Sequence, residues 1–317
     1  MTFLKKIGIV GAGNYGTAIA QCFSEKAEEV FLISEEETTS TDINQSHANP
    51  QYLPGIRLND NISCSSTFSQ IQNCDIIFLA VPTSVVLSIC RQIKDFGISV
   101  PIVLCSKGFD VENGRLQSDL FEEILNNDYA IFSGPSFANE IAQGLPAGVN
   151  IAGKNFELSR NISKSLSTTT FKIEAINDYI GLQVAGALKN VLAIGCGILS
   201  GLKLGDNATA QLITNGIKEM AELAAALGGE EKTFFELGGV GDVILTCSSK
   251  RSRNILFGEH LAAGGNLENW KGALAEGAFA VEAIPLFREK YDLILKIFSR
   301  IHQIIHGKKP ASEIIRE

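Results

Sequence analysis

The sequence lacks the motifs of several well-known classes of protein. Its seven cysteines are scattered and form no C-x-x-C pair, so we expect reduced, mostly buried thiols in a cytoplasmic protein. There is no P-loop for binding nucleotide phosphates and no G-x-S-x-G motif of a serine hydrolase.

The chain has fewer basic than acidic residues. Thirty-five acidic residues outnumber 27 basic ones, which gives a net charge of -8. This balance argues against a nucleic-acid partner or an anionic membrane surface. No apolar run is long enough to cross a bilayer, and the N-terminus leads into a strand rather than a signal peptide, so we do not expect an integral membrane protein.

The four histidines form no recognisable metal motif. His302 and His306 are four residues apart on a predicted helix, but no carboxylate accompanies them in the sequence. A solvated helix face is the simpler interpretation, and no metal site is expected.

One N-terminal stretch indicates a nucleotide-binding loop. An apolar strand over Ile7–Val10 is followed by Gly11, Gly13 and Gly16, and a helix begins near Asn14. In a dinucleotide fingerprint the first glycine makes a sharp turn, the second lets the diphosphate approach the backbone, and the third allows the helix to lie close to the strand. An ordinary strand–turn–helix is the alternative.

An acidic residue follows the second predicted strand. Glu35 comes 19 residues after Gly16, close to the offset at which a carboxylate holds the adenosine ribose hydroxyls. A solvated acidic loop explains the same residues equally well.

Apolar strands then alternate with helices as far as residue 177. Strands are predicted at 75–82, 101–108 and 129–133, with two more at 149–152 and 171–174, and helices after Val85 and over 114–125. We expect residues 38–61 to form a surface loop with one short helix at most. The alternation predicts an α/β, Rossmann-like, doubly wound parallel sheet over residues 1–177. From 178 to 317 long apolar helices predict a separate all-α domain.

Two polar groups of residues interrupt the helical half. Lys189 lies within an apolar helix, where burial would lower its pKa and allow it to donate a proton near neutral pH. The alternative is a lysine whose ammonium reaches the surface. Near the glycines 238–241, Asp242 is placed to orient that lysine, and Arg253 to hold a phosphate or to form a surface ion pair.

Taken together these segments resemble one family. The resemblance rests on the following stretches, in order over nearly the whole chain: Gly11–Ala18, Asn49–Gly55, Ser106–Gly108, Ser133–Glu140, Gly186–Val191, Gly239–Asp242, Leu245–Cys247 and Ser252–Asn254. The chain resembles the bacterial NAD(P)-dependent sn-glycerol-3-phosphate dehydrogenases.

The resemblance implies reversible reduction of dihydroxyacetone phosphate to sn-glycerol 3-phosphate, which feeds glycerophospholipid synthesis. It implies Lys189 as general acid, with Lys107 and Asp242 beside it in the catalytic set. The substrate-contacting positions that it implies are Lys107, Gly134, Ser136, Lys189, Asp242, Ser252, Arg253 and Asn254. The cofactor-contacting positions that it implies are Asn14, Tyr15, Lys107, Ala138, Arg253 and Glu276. They add to Gly11, Gly13, Gly16 and Glu35, which the dinucleotide fingerprint already predicts as cofactor-binding residues.

Cofactor preference and assembly are separate expectations. Relatives usually have a basic or histidine residue where this chain has Ser34-Glu35, so we expect NAD to be preferred, with NADP as the second choice. A homodimer is left open. Two other functions remain open: a two-domain dehydrogenase of the hydroxyacid or ketopantoate type, and a non-catalytic nucleotide sensor.

Overall fold

A computed structural model of the chain describes residues 4–249 and 252–315, and within them the chain forms two units. One unit contains residues up to Ser106 together with Ser118–Tyr179, and the other contains Lys107–Gln117 together with residues from Ile180 onward. The sequence-based division placed Lys107–Gln117 in the first domain. The segment groups with the helical unit because Phe109 is buried in its core, with its ring centroid 4.9 Å from that of Phe287.

An eight-stranded sheet occupies the centre of the first unit. The strands of this unit are β1 (Lys6–Val10), β2 (Glu29–Ile33), β3 (Ala48–Asn49), β4 (Leu53–Arg57), β5 (Ile62–Ser65), β6 (Ile76–Leu79), β7 (Ile102–Leu104), β8 (Tyr129–Ser133), β9 (Ala147–Ala152) and β10 (Phe171–Ala175). The sheet order is β10-β9-β8-β7-β6-β1-β2-β5, and all neighbours are parallel except β8 and β9. β3 and β4 form a separate antiparallel pair.

Helices connect the parallel strands. They are α1 (Asn14–Phe23), α2 (Glu37–Ser46), α3 (Val86–Asp95), α4 (Gln117–Ile124), α5 (Ala138–Ala142) and α6 (Phe156–Leu166). The central strands β6, β7 and β8 are buried along their whole length, as strands covered on both faces must be. The predicted Rossmann-like α/β class is confirmed.

Two local predictions were wrong. The predicted helix over 114–125 begins only at Gln117, because Gly114 has a left-handed φ of +59° and Arg115 forms a β-bridge with Asp110. The segment 38–61 contains most of α2, which is the one short helix expected there, but also the β3–β4 pair, which was not predicted. Directly after it, β5 is an edge strand of the sheet that was not predicted either. These short, polar strands carry too little apolar periodicity to be read from sequence.

The regular secondary structure of the second unit is helical among its described residues, apart from the isolated bridge between Asp110 and Arg115. Its helices are α7 (Tyr179–Gly201), α8 (Asp206–Ala226), α9 (Asp242–Ser248), α10 (Arg253–Ala262), α11 (Gly277–Ala280), α12 (Ile284–Tyr291) and α13 (Lys296–Ile305), with short 3₁₀ and π turns between some of them. This confirms the predicted all-α architecture. All seven cysteines of the chain are buried free thiols, as predicted.

Helix α7 contradicts the prediction that no apolar run is long enough to cross a bilayer. Among the described residues it is long and apolar enough to span a membrane by length and composition, with a mean hydropathy of 1.6. The whole of its apolar window is buried inside the protein. A core helix passes the same test, so its composition reflects packing on all sides.

Candidate active site

Each of the three glycines in the glycine loop between β1 and α1 has its own steric role. Gly11 has a φ of +106°, and a Cβ there would lie 2.6 Å from the carbonyl oxygen of Ala80. A Cβ on Gly16 would lie 1.8 Å from the carbonyl oxygen of Gly11. At Gly13, by contrast, no atom lies within 4 Å of the Cβ position. The first and third glycines are therefore required by the chain itself, whereas the second leaves open space above the backbone.

That open space adjoins the start of a helix. Asn14 is exposed and is the first residue of α1, and Gly13 provides no side-chain cap for the first backbone N–H groups. Uncapped N–H groups and the helix dipole favour a negatively charged group. The loop therefore fits a cofactor diphosphate, which is the feature that the sequence predicted.

A buried asparagine fixes this loop from a distant part of the chain. The Asn49 amide nitrogen donates to the carbonyl oxygen of Ala12 at 2.8 Å and to Oγ1 of Thr17 at 2.8 Å. Asn49 is only 1% exposed, so both bonds are shielded from water. Asn49 lies in the stretch Asn49–Gly55 quoted above but had no predicted role, because nothing nearby in the sequence shows which backbone group its amide contacts.

Two adjacent glutamates after β2 have different surroundings. Glu36 accepts hydrogen bonds from the hydroxyls of Tyr52 at 2.6 Å and Thr39 at 2.8 Å, and these bonds lower the pKa of its carboxyl. Glu35 is exposed. It follows the carboxyl end of β2, which pairs directly with β1. Of these two adjacent carboxylates, Glu35 is the one that faces solvent.

The other predicted residues of the first unit gather after β8. The Ser136 hydroxyl donates to the carbonyl oxygen of Gly134 at 2.9 Å and lies 3.5 Å from the hydroxyl of Tyr15. Ala138 is the first residue of α5. Because Tyr15 lies in the first turn of α1, this segment adjoins the glycine loop, as expected for strands whose carboxyl ends share one sheet edge.

The second unit contains a buried cluster of two lysines and one aspartate. Nζ of Lys189, on α7, lies 2.6 Å from Oδ1 of Asp242, the first residue of α9. Nζ of Lys107 lies 2.8 Å from Oδ2 of the same carboxylate. The exposed fractions of the side chains are 9% for Lys189, 15% for Lys107 and 1% for Asp242. A single carboxylate therefore orients both ammonium groups.

Thr246, which lies in the quoted stretch Leu245–Cys247 but had no predicted role, completes this cluster. Lys189 also donates to Oγ1 of Thr246 at 2.8 Å. Thr246 lies one turn after Asp242 on α9, and its hydroxyl donates to the Asp242 carbonyl oxygen at 2.7 Å. The four-residue spacing was the available signal, since residues i and i+4 share one helix face.

Burial makes Lys189 an unusually acidic lysine. Desolvation is the largest cause and lowers its pKa from 10.5 to about 8, with a further lowering by the charge of Lys107. Asp242 and Glu276 oppose the change. The ammonium is therefore mostly protonated at neutral pH, yet it can release a proton far more readily than a surface lysine.

The residue after Lys189 joins three helices. Oδ1 of Asn190 accepts from the amide of Asn254 at 3.0 Å, and Oδ1 of Asn254 accepts from the backbone N–H of Gly277 at 3.0 Å. A Cβ on Gly277 would lie 2.5 Å from the carbonyl oxygen of Asn190. This close contact holds Glu276 near α7, in agreement with its effect on the pKa of Lys189.

Arg253 carries an exposed positive charge. It is the first residue of α10, and the Ser252 hydroxyl caps that helix by accepting from the backbone N–H of Ile255. Within residues 4–249 and 252–315 its guanidinium forms no ion pair. A fixed backbone with an exposed, uncompensated guanidinium suits an anionic ligand.

The glycines before Asp242 have a structural explanation. A Cβ on Gly239 would lie 2.5 Å from the carbonyl oxygen of Thr233 and 2.6 Å from the Cα of Phe234. The sequence suggested either close approach to a ligand or helix capping. At Gly239 the close approach is to the chain itself, and it places the turn from which α9 and Asp242 start.

Two family models match this chain. The NAD-dependent glycerol-3-phosphate dehydrogenase N-terminus matches residues 6–159, and the corresponding C-terminus matches residues 178–316. The chain belongs to the NAD-dependent glycerol-3-phosphate dehydrogenase family. The two stretches contain every residue discussed above as a candidate for binding or catalysis, with Lys107 in the first and Lys189 and Asp242 in the second.

Individual relatives of this family match over nearly their full length. The glycerol-3-phosphate dehydrogenase [NAD(P)+] of Caulobacter vibrioides is 38% identical over 315 residues, covering 97% of this chain and 94% of the relative. That of Zymomonas mobilis is 37% identical over 314 residues, covering 98% and 92%. The crystal structure of glycerol-3-phosphate dehydrogenase from Coxiella burnetii has a TM-score of 0.93 at 30% identity, covering 99% of this chain and 98% of that one.

A more distant structure bears on one alternative. A probable 2-dehydropantoate 2-reductase from Bacillus subtilis matches with a TM-score of 0.60 at 13% identity. At that identity the match shows a shared fold alone.

Proposed function

We propose that this protein catalyses the reversible, NAD(P)H-dependent reduction of dihydroxyacetone phosphate to sn-glycerol 3-phosphate. The observation that carries the proposal is the buried Lys189–Asp242–Lys107 cluster in a member of this family. In this assignment residues 1–177 bind the cofactor, and residues 178–317 together with Lys107 supply the catalytic groups.

The glycine loop holds the cofactor. Gly11 and Gly16 shape the loop, the open space at Gly13 accommodates the diphosphate, and the start of α1 at Asn14 faces its charge. Glu35 accepts hydrogen bonds from the ribose hydroxyls. Tyr15, Ala138, Lys107, Arg253 and Glu276 are the further cofactor-contacting residues of the proposal. When bound, the cofactor donates or accepts the hydride.

Proton transfer is the contribution of Lys189. Reduction of the carbonyl develops negative charge on its oxygen, and the ammonium of Lys189 donates a proton there; in the reverse direction the neutral amine accepts it. Asp242 and Thr246 fix the direction of Nζ through bonds of 2.6 and 2.8 Å. Lys107 adds a second positive charge, which is ion-paired with the same Asp242 carboxylate.

Substrate binding requires a cation for the phosphate dianion. Arg253 supplies a planar guanidinium that can form two parallel hydrogen bonds to phosphate oxygens. Gly134, Ser136, Ser252 and Asn254 are the polar and backbone contacts that the proposal assigns to the substrate. Among them Asn254 also bonds to Asn190 and Gly277, so it holds the site in shape as well.

A spectrophotometric assay tests the proposal. Oxidation of NADH or NADPH is followed with dihydroxyacetone phosphate, 2-dehydropantoate and unphosphorylated 2-oxoacids, with the Lys189→Met variant as the inactive control. We expect turnover with dihydroxyacetone phosphate far above that with the acids. Preference for an acid would support the ketopantoate-type alternative, and tight cofactor binding without any turnover would support a sensor.

A further inference from the structure

A second cluster of polar side chains lies at the C-terminal end of α13. His302 and His306 are one turn apart, with ring centroids separated by 4.5 Å. Glu282, from the 3₁₀ turn Val281–Ala283, reaches both of them. Its Oε1 lies 2.8 Å from Nε2 of His306, and its Oε2 lies 3.6 Å from Nε2 of His302.

The donor set matches a late first-row transition metal. Two imidazole nitrogens and a carboxylate oxygen are ligands that zinc prefers, with bonds of about 2.0–2.2 Å. A tetrahedral ion with such bonds holds its ligand atoms about 3.4 Å apart. The two distances from Glu282, 2.8 and 3.6 Å, lie on either side of that value, and one ligand atom from each of the three residues lies within 4.8 Å of the others.

We propose that Glu282, His302 and His306 bind a divalent transition-metal ion, with zinc as the best match, and that water completes its coordination. The Glu282 carboxylate supplies negative charge toward the dication, and the neutral imidazoles complete the set of three protein ligands.

The supporting backbone is rigid, and the ligand atoms are accessible. Val281 and Ala283, on either side of Glu282, are fully buried, and α13 is anchored by the buried side chains of Phe298 and Ile301. The side chains of His306 and Glu282 are 38% and 35% exposed, whereas that of His302 is 14% exposed. An ion can therefore enter from solvent and bind to side chains whose backbone positions are already fixed.

The carboxylate beside the histidine pair was not visible in the sequence. The histidine pair was interpreted as a solvated face because no carboxylate accompanied it. Glu282 is 24 residues away from His306 along the chain, and only the packing of the 3₁₀ turn against α13 brings it there. The site shares no residue with the Lys189 cluster, so we expect bound metal to stabilise the helical unit rather than to supply catalysis.

Nitrogen-15 NMR of labelled histidine tests the proposal on the unaltered chain. The protein is prepared without an affinity tag, stripped with chelator and titrated with zinc chloride. The chain has four histidines, so His47 and His260 serve as internal controls. We expect the Nε2 resonances of His302 and His306 to move to metal-bound positions while the other two stay unchanged. Unmoved resonances of His302 and His306 at millimolar zinc would overturn the proposal.

Variants provide a second test by calorimetric titration with zinc. Glu282→Gln keeps the shape of the side chain but removes its charge, and we expect zinc affinity to fall by at least about tenfold, the loss typical even for groups outside the ligand set. Glu289→Gln, an exposed glutamate on α12, is the matched control and should bind zinc as the wild type does. Equal affinity in Glu282→Gln and the control would refute the assignment.

Discussion

Replacement of Lys189 by methionine tests the proposed chemistry most directly. Methionine matches the lysine stem in length but has no proton to donate. Asp242 keeps its ion pair with Lys107 at 2.8 Å, and Thr246 keeps its bond to the Asp242 carbonyl oxygen. No buried charge is left without a partner, so the variant should fold.

The expected loss of rate follows from the role of Lys189. A general acid contributes roughly 10²- to 10⁴-fold, or about 3 to 5 kcal/mol of activation free energy. We therefore expect kcat to fall by at least about a hundredfold in Lys189→Met while the Kd for NADH changes little. Lys218→Met, at an exposed lysine of α8, is the control and should retain full turnover.

The pH profile gives a second measurement on the same variant. With the pKa of Lys189 lowered to about 8, reduction requires the protonated amine, so kcat/KM for reduction should decline above about pH 8. Oxidation requires the neutral amine and should increase toward the same pH. Both limbs should be absent in Lys189→Met. Turnover above about a tenth of wild type, or an unchanged profile, would refute the role of Lys189.

The lowered pKa of Lys189 also predicts that Lys189→Met is more stable than the wild type. In the unfolded chain the lysine has its ordinary pKa of 10.5, and folding lowers it to about 8. Below about pH 8 the buried ammonium therefore costs about 3 kcal/mol of unfolding free energy, at about 1.36 kcal/mol for each pH unit. Between about pH 8 and 10.5 the folded chain has released a proton that the unfolded chain still binds, so this cost diminishes as pH rises. Lys189→Met should be the more stable protein at pH 7 in denaturant titrations, and its advantage should disappear toward pH 10.5.

Three further substitutions test the proposed binding residues. Glu35→Arg should raise the ratio of kcat/KM for NADPH over NADH by about tenfold or more, because a carboxylate about 4 Å from a 2′-phosphate would repel it by up to about 4 kcal/mol before screening; Glu37→Arg is the control, and a wild type that uses NADPH as well as NADH would contradict the idea. Arg253→Lys keeps the charge but loses the planar pair of donors, so KM for dihydroxyacetone phosphate should rise about tenfold at similar kcat; an unchanged KM would place the phosphate elsewhere. Asn49→Ala should raise the Kd for NADH about tenfold, since two buried hydrogen bonds that hold the glycine loop are lost, whereas Asn44→Ala, which loses comparable bonds to the backbone of Cys64, should not; equal effects would show a general loss of stability.

The glycine loop could be predicted from sequence because its causes are local. The left-handed φ at Gly11 and the contact between Gly16 and Gly11 involve residues at most five apart, so the spacing of the glycines records them. The close approach of Gly11 to Ala80 is tertiary and was not predictable. The buried strands were likewise predictable, since β6 and β8 are continuous apolar runs. The short strands β3, β4 and β5 were missed because polar residues in short strands give no periodic signal.

The composition of the two polar clusters was decided only by tertiary structure. Asp242 is 53 residues from Lys189 and 135 from Lys107, and Glu282 is 24 from His306. The sequence predicted that Lys189 is desolvated and that Asp242 orients it. It could not show that Thr246 joins them or that Lys107 groups with the helical unit. Nor could it show that a carboxylate reaches the histidine pair.

The physical reason is the range over which each interaction acts. Backbone sterics and hydrophobic periodicity operate within one strand or helix, so the chain order records them directly. A carboxylate meets a distant ammonium or imidazole only after apolar faces such as those of α7 and α13 have packed, and that packing depends on the shape and volume of many side chains at once.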